Sequence, residues 1–251
     1  MIEKITAYYG PMGARKTGKL LDLMTNRYTK DFAQAFSPST DNRFGHGIIK
    51  ERDNIETGEK GREVPSIIID DVFQIEKHLQ ALKLVRHLFI DEVNFFESDP
   101  IKSGMSEEEL KVRRSESMRY LLRLTEEHKK RIYLFGLDLT AEMEPYGLMG
   151  TALSFPITKE GFVAECVSCG DPARFTYYIP YEKETNVPGA DDYCAMCHGC
   201  HIEWSELYKK HKEIGTIREY YRLAKRLKPE LEMNEGVMRL AKTLPSWYAD
   251  N

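Results

Sequence analysis

Two stretches of this 251-residue chain hold residue types whose order suits phosphate chemistry. The first is Gly10-Pro11-Met12-Gly13-Ala14-Arg15-Lys16-Thr17. A phosphate-binding loop takes a glycine, four residues, then Gly-Lys-Ser/Thr, between a strand and a helix. Its backbone N–H groups and the helix N-terminus cradle phosphate oxygens, the lysine reaches the terminal phosphates, and the hydroxyl holds Mg²⁺. Lys16 and Thr17 stand at the right distance from Gly10, but Arg15 occupies the place of the second glycine. If that position needs positive φ, a non-glycine residue costs about 1 kcal/mol there. The guanidinium could return something by contacting phosphate, or could occlude the site. A shifted register uses Gly13, Gly18 and Lys19 but puts Leu20 where a hydroxyl is needed, so the first register is preferred.

The second stretch, Leu88-Phe89-Ile90-Asp91-Glu92, is an apolar run ending in two acids. At the end of a strand, Asp91 suits a Mg²⁺ ligand, direct or through water. Glu92, on the opposite face, suits a general base acting on an incoming nucleophile. The same pair follows strands in helicases and other ATPases, so it indicates nucleotide chemistry rather than one substrate.

All five cysteines lie between Cys166 and Cys200. A secreted disulfide framework would spread them along the chain, whereas a cluster reads as a metal site in a reducing compartment. Cys166-Val-Ser-Cys169 and Cys197-His-Gly-Cys200 are paired C-x₂-C knuckles suited to tetrahedral structural zinc. Cys194-Ala-Met-Cys197 is also C-x₂-C, and His198 and His201 are near in sequence. A closed four-thiolate site leaves no open position, which makes the metal structural rather than catalytic.

These groups need elements to hold them. Residues 4–9 read as a strand leading into the loop, and 16–27 as a helix with Leu20, Leu21, Leu23 and Met24 on its apolar face. Residues 35–61, rich in Ser, Pro, Asp, Asn and Gly, read as a long surface loop. Strands are expected at 66–70, 86–91 and 131–136, and helices at 73–85 and 106–130. Met118, Leu121, Leu122 and Leu124 form the inner face of the last of these, and Lys129-Lys130-Arg131 complement its dipole. Alternating strands and helices predict an α/β fold, a P-loop-NTPase-like parallel sheet with helices on both faces, plus a small zinc-ribbon or lasso lobe. The expected division is a nucleotide-binding kinase domain at 1–160, a zinc-binding lobe at 161–203 and a helical extension at 204–251.

Composition bounds the function. Hydrophobic residues make up 41% and charged residues 30%, the profile of a folded globular chain. A net charge of -4 disfavours nucleic acid as a partner. No signal peptide and no apolar run near 20 residues is visible. The expectation is therefore a cytoplasmic protein with no membrane contact.

Taken together, these residues resemble the zinc-containing (type II) thymidine kinases. Gly10-Pro11-Met12 with Lys16-Thr17 looks like that family's phosphate loop, and Asp41-Asn-Arg43 like its Asp-x-Arg loop. Ile90-Asp91-Glu92-Val93-Asn94-Phe95-Phe96 is similar to its Ile-Asp-Glu-x-Gln-Phe-Phe strand. Gly136-Leu137-Asp138 followed by Pro145-Tyr146-Gly147 resembles its Gly-Leu-Asp and Pro-Phe-Gly segments. Cys166-x₂-Cys169 with Ala173-Arg174-Phe175-Thr176 resembles its first knuckle and the strand after it. Gly189-Ala190-Asp191-Asp192-Tyr193 before Cys197-x₂-Cys200-His201 resembles its covering loop and second knuckle, and that spacing from Tyr193 selects Cys197 over Cys194.

The resemblance implies ATP-dependent phosphorylation of the 5′-hydroxyl of thymidine or a related deoxypyrimidine nucleoside in DNA precursor synthesis. In the roles it implies, Gly10, Pro11, Met12, Gly13, Ala14, Arg15, Lys16, Thr17 and Arg43 bind donor phosphates, with Asp41 and Asp91 near Mg²⁺. Glu92 is the base. Phe95 and Leu137 line the nucleobase pocket, and Thr176 with the loop from Gly189 to Tyr193 reads the base edge. A homotetramer is the implied assembly.

Departures accompany it. Arg15 replaces a glycine, Asn94 a glutamine, Ala141 a bulky aromatic and Pro188 a loop glycine. The segment from Glu97 to Lys130 is longer than the family's core. A catalytically impaired nucleotide-binding or regulatory protein is the alternative, with Arg15 as its evidence.

Overall fold

A computed structural model of the chain describes residues 4–26, 30–41, 47–51, 60–98, 103–178 and 193–210. They gather into two compact units. One draws on Met1–Gly10, Arg15–Thr140 and Glu144–Phe162, the other on Pro11–Ala14, Ala141–Met143 and Val163–Asn251.

The first unit is built on a seven-stranded sheet. Its strands are β1 Ile5–Tyr9, β2 Ala33–Pro38, β3 Ile48–Lys50, β4 Glu63–Ile69, β5 His87–Ile90, β6 Arg131–Gly136 and β7 Thr158–Gly161. They lie in the order β3-β4-β2-β5-β6-β1-β7, and only β3 with β4 is antiparallel. The helices are α1 Lys16–Thr25, α2 Glu107–Glu127 and α3 Gly147–Ala152.

Successive strand residues point to opposite faces, and a sheet covered on both sides must be apolar on both. Ile5, Ala7, Leu88, Ile90, Ile132 and Leu134 face one layer with Met118, Leu121 and Leu124 of α2 and Leu148 and Met149 of α3. The alternate residues Tyr8, Phe89 and Phe135 face the other, with Leu20 and Leu21 of α1. Aromatic stacking runs along that second face: Tyr8 lies 4.7 Å from Phe135, and Phe89 lies 4.6 Å from Tyr133, between ring centroids.

Three sequence expectations change. Residues 35–61 are not one loop: β2 crosses the middle of the sheet with Phe36 fully buried, and β3 forms an edge. Ser37 and Pro38 hid β2, although Pro38 is only its last residue. The helix expected at 73–85 is a 3₁₀ turn over Val72–His78, capped by Asp71, whose Oδ1 accepts from the Phe73 N–H at 2.9 Å. Lys130 does not project from a helix end. It is buried, and its Nζ donates to the Leu82 and Val85 carbonyls at 2.9 and 2.6 Å. The start of α2 is secured by a capping box between Ser106 and Glu109.

The second unit holds two small antiparallel pairs, β8 Ala164–Glu165 with β9 Pro172–Ala173 and β10 Phe175–Tyr178 with β11 Tyr193–Met196, followed by α4 His198–Lys210. Cys166, Ala173, Tyr177, Ala195, Met196 and Trp204 form its core. The rest of the expected C-terminal extension lies outside the described residues. Among the described residues no helix is long and apolar enough to cross a membrane.

Glu97 is an unusual member of the first unit. Its carboxyl packs against α2, where Oε1 accepts from Ser117 Oγ at 3.0 Å and Oε2 is enclosed without a hydrogen-bond partner. Burial pushes this carboxyl from 4.5 up to about 7. The folded state thus holds the proton more tightly than the unfolded chain. Stability is highest below pH 4.5 for this group and falls as the pH rises to about 7. Replacing Glu97 by Gln should raise stability at pH 8 by up to about 3 kcal/mol and change it little at pH 4.5, in urea unfolding at the two pH values.

Candidate active site

Parallel pairing delivers several of the residues singled out from the sequence to one place. Tyr9 of β1 pairs with Gly136 of β6, and Ile90 of β5 pairs with Leu134, so Gly10, Leu137 and Asp91-Glu92 all leave the same edge of the sheet. β2 runs the same way, pairing Pro38 with Ile69, and Asp41 follows it with its N–H on the Pro38 carbonyl at 3.0 Å. Only β6 lies between β1 and β5, a separation of about 10 Å at ordinary strand spacing. The carboxyl edge of an open α/β sheet is where such folds bind ligands.

Gly10 must be glycine. Its φ is 149°, and a Cβ there would sit 2.5 Å from the Phe162 carbonyl oxygen. Gly13 has φ 76°. Arg15 caps α1 with φ 58° and ψ 29°, a left-handed conformation, and its side chain makes no capping bond. The condition set by the sequence is therefore met: an arginine stands where a glycine would be unstrained. Lys16 opens α1 and its Nζ donates to the Gly10 carbonyl at 2.8 Å. Lys19 turns elsewhere, 3.4 Å from Glu160 and 5.6 Å from the Tyr8 ring centre, which favours the register that ends in Lys16 and Thr17. The first turn of α1 carries no acidic residue, so no carboxylate of its own offsets the positive end of its dipole.

Asp91 is buried, with its N–H on the Phe36 carbonyl at 2.9 Å. Glu92 follows at φ 46° and ψ 43°, also left-handed, and leads into a 3₁₀ turn over Val93–Phe95. Strained backbone of this kind persists only where the surroundings over-determine it. Phe95 is half-buried against Tyr146, ring centroids 5.8 Å apart, and Leu137 is half-buried at the end of β6. Asn94, named from the sequence only as a departure, is fully buried and its Oδ1 accepts the Leu137 N–H at 2.8 Å. Its one sequence signal was the shorter amide in place of glutamine. Arg43 and Gly189 lie outside the described residues.

In the second unit Thr176 is buried, and its Oγ1 accepts the Met12 N–H at 3.1 Å. The oxygen assigned from the sequence to a base edge is thus already engaged by the Pro11–Ala14 segment. Tyr193 is half-buried beside Tyr178, centroids 5.0 Å apart. Cys166, Cys169, Cys197 and Cys200 have their sulfurs within 4.8 Å of one another. Zn–S bonds of about 2.3 Å in a tetrahedron place sulfurs about 3.8 Å apart, and Cys169 and Cys197 stand at 3.7 Å. The four thiols fit structural zinc. Cys194 is outside the cluster, buried in β11 opposite Tyr177. His201 is outside it too, its Nε2 lying 2.9 Å from the Ala141 carbonyl.

The fold is that of a P-loop-like α/β protein with an added four-cysteine unit. Comparison with known proteins narrows the class. A family model described as thymidine kinase matches residues 3–113. The thymidine kinase of Pseudothermotoga lettingae is 26% identical over 210 residues, covering 80% of this chain and 96% of that protein. The thymidine kinase of Deinococcus deserti is 25% identical over 173 residues, covering 65% of this chain and 73% of that protein. Over these stretches the chain is similar to thymidine kinases, at the level of a divergent relative.

Replacing Arg15 by Gly should leave stability unchanged or raise it by up to about 1 kcal/mol in denaturant unfolding, the relief of left-handed strain being partly offset by a looser unfolded chain. Metal analysis should find zinc bound to the purified chain, and Cys169→Ser should abolish it and lower the melting temperature.

Proposed function

We propose that this protein transfers the γ-phosphate of ATP, as a Mg²⁺ complex, to the 5′-hydroxyl of thymidine or a related deoxypyrimidine nucleoside. The observation that supports this most is the common edge from which Gly10 and Asp91-Glu92 emerge on either side of β6. The relatives' shared name supplies the nucleoside.

In this mechanism Lys16, at the N-terminus of α1, draws in the terminal phosphates. The loop from Gly10 through Pro11, Met12, Gly13 and Ala14 to Arg15 wraps them and offers backbone N–H groups such as those of Gly13 and Arg15; Pro11 has none, and those of Met12 and Ala14 are held by Thr176 Oγ1 and the Pro11 carbonyl. Thr17, Asp41 and Asp91 supply hard oxygens of the kind Mg²⁺ takes. The ion, when bound, neutralises charge on the β- and γ-phosphates. Glu92 accepts the proton of the 5′-hydroxyl as its oxygen attacks phosphorus and the β–γ bridging bond breaks. Phe95 and Leu137 offer apolar surface to the nucleobase. Arg43, Thr176, Gly189 and Tyr193 are proposed as ligand contacts on the resemblance alone. Nearly all the rate gain would come from positioning and electrostatics. The three-part division at 160 and 203, assembly as a homotetramer and a cytoplasmic setting are proposals of the same kind.

A nucleotide-binding protein without catalysis is the second reading, favoured by Arg15 in a strained position inside the loop. Transfer of labelled phosphate from ATP to thymidine separates the two. Activity in the intact protein, with Glu92→Gln slowed by about 10²–10⁴-fold and Lys16→Ala also impaired, is the expected result. No transfer to any nucleoside of a panel would favour the second reading.

A further inference from the structure

Asn94 stands two residues beyond Glu92 and has no part in the roles above. Its side chain is fully buried, and Oδ1 takes the Leu137 N–H at 2.8 Å. Its Nδ2 is enclosed with no hydrogen-bond partner. A buried amide normally pairs both ends, and leaving one donor unpaired costs free energy. The structure accepts that cost to keep the oxygen on Leu137.

The backbone around Asn94 is shaped to admit it. A Cβ on Gly136 would collide with Asn94 Oδ1, and one on Gly147, held at φ 48°, would collide with the Asn94 carbonyl. The same turn is fastened at both sides. The Phe95 N–H reaches the Glu92 carbonyl at 2.9 Å, and the Leu148 N–H reaches the Phe96 carbonyl at 3.1 Å. Glu92 itself sits at φ 46°, a conformation that needs such support.

We propose that Asn94 is a positioning residue: by tying the Glu92 turn to the Leu137 backbone, it sets the proposed base and the proposed nucleobase wall in one fixed relation. This rests on the kinase reading above. Its consequence is that the acceptor oxygen of Asn94 matters and its amide NH₂ does not. Asn94→Leu keeps the branched shape but puts a methyl group where Oδ1 stood and orphans the Leu137 N–H. Asn94→Asp keeps the acceptor oxygen; burial holds its carboxyl protonated, so an O–H replaces the unpaired NH₂ and no charge is buried.

The test joins steady-state kinetics to amide hydrogen exchange at Leu137. Asn94→Leu should lose about 100-fold in kcat, as expected for a catalytic group displaced by about 1 Å, while KM for ATP stays within about threefold. Its Leu137 amide should exchange faster than in the wild type. Asn94→Asp should retain kcat within about threefold and keep the Leu137 amide protected. Wild-type kcat in Asn94→Leu, or Asn94→Asp as slow as Asn94→Leu, would overturn the proposal. If Asn94→Leu does not fold, Asn94→Asp decides alone. A wild type without transfer activity would remove the kinase reading, and the exchange of Leu137 in wild type and Asn94→Asp would then decide whether the tie exists.

Discussion

The parallel register of β1, β6 and β5 is the constraint on which the rest depends. Tyr9 against Gly136 and Ile90 against Leu134 bring the ends of three strands level. A loop that binds phosphate and a carboxylate that takes a proton can act together only if they leave the sheet on one side. Parallel strands guarantee this, and parallel strands require both faces to be covered. That requirement accounts for the apolar alternation of Ile5, Ala7, Leu88, Ile90, Ile132 and Leu134 with Tyr8, Phe89 and Phe135. The core thus serves the site by fixing register, since a slip of one residue would exchange the two faces.

Backbone strain collects at this edge. Arg15 and Glu92 both adopt left-handed conformations, one at the start of α1 and one at the end of β5. Positive φ alone does not mark function, for Lys129 and Met143 share it. What separates Glu92 is its setting, in a turn whose next residue but one is buried, hydrogen-bonded across to β6 and enclosed by two glycines. Arg15 has no comparable support from its own side chain. A glycine would be relaxed there, whereas the arginine holds the left-handed conformation at the cost of strain.

Much of this was legible in the sequence because the relevant patterns are local. Gly10 to Thr17, the acids after Ile90 and the cysteine knuckles are spaced by covalent geometry, and each was placed without knowledge of the fold. The three strands read from apolar runs were found within a few residues. What escaped was decided by tertiary contact. β2 carries Gln34, Ser37 and Pro38 and looks like a loop, yet it is central because Phe36 and Ala35 are buried by neighbours distant in sequence. Lys130 looked like a charge at a helix end, but the carbonyls of Leu82 and Val85 converge on it. Asn94 and Glu97 had no sequence signal as buried polar groups, because burial of a single side chain depends on elements that meet only in the fold.

The proposed function requires α1 and the end of β5 to serve one phosphoryl transfer. A crystal structure with a bisubstrate analogue, a deoxypyrimidine nucleoside joined to adenosine through a polyphosphate, tests it most directly. The expected result is polyphosphate oxygens on Lys16 and Thr17 and the nucleoside 5′-oxygen within hydrogen-bond reach of the Glu92 carboxylate. An analogue bound with its phosphates away from α1, or with the 5′-oxygen remote from Glu92, would rule out a shared site.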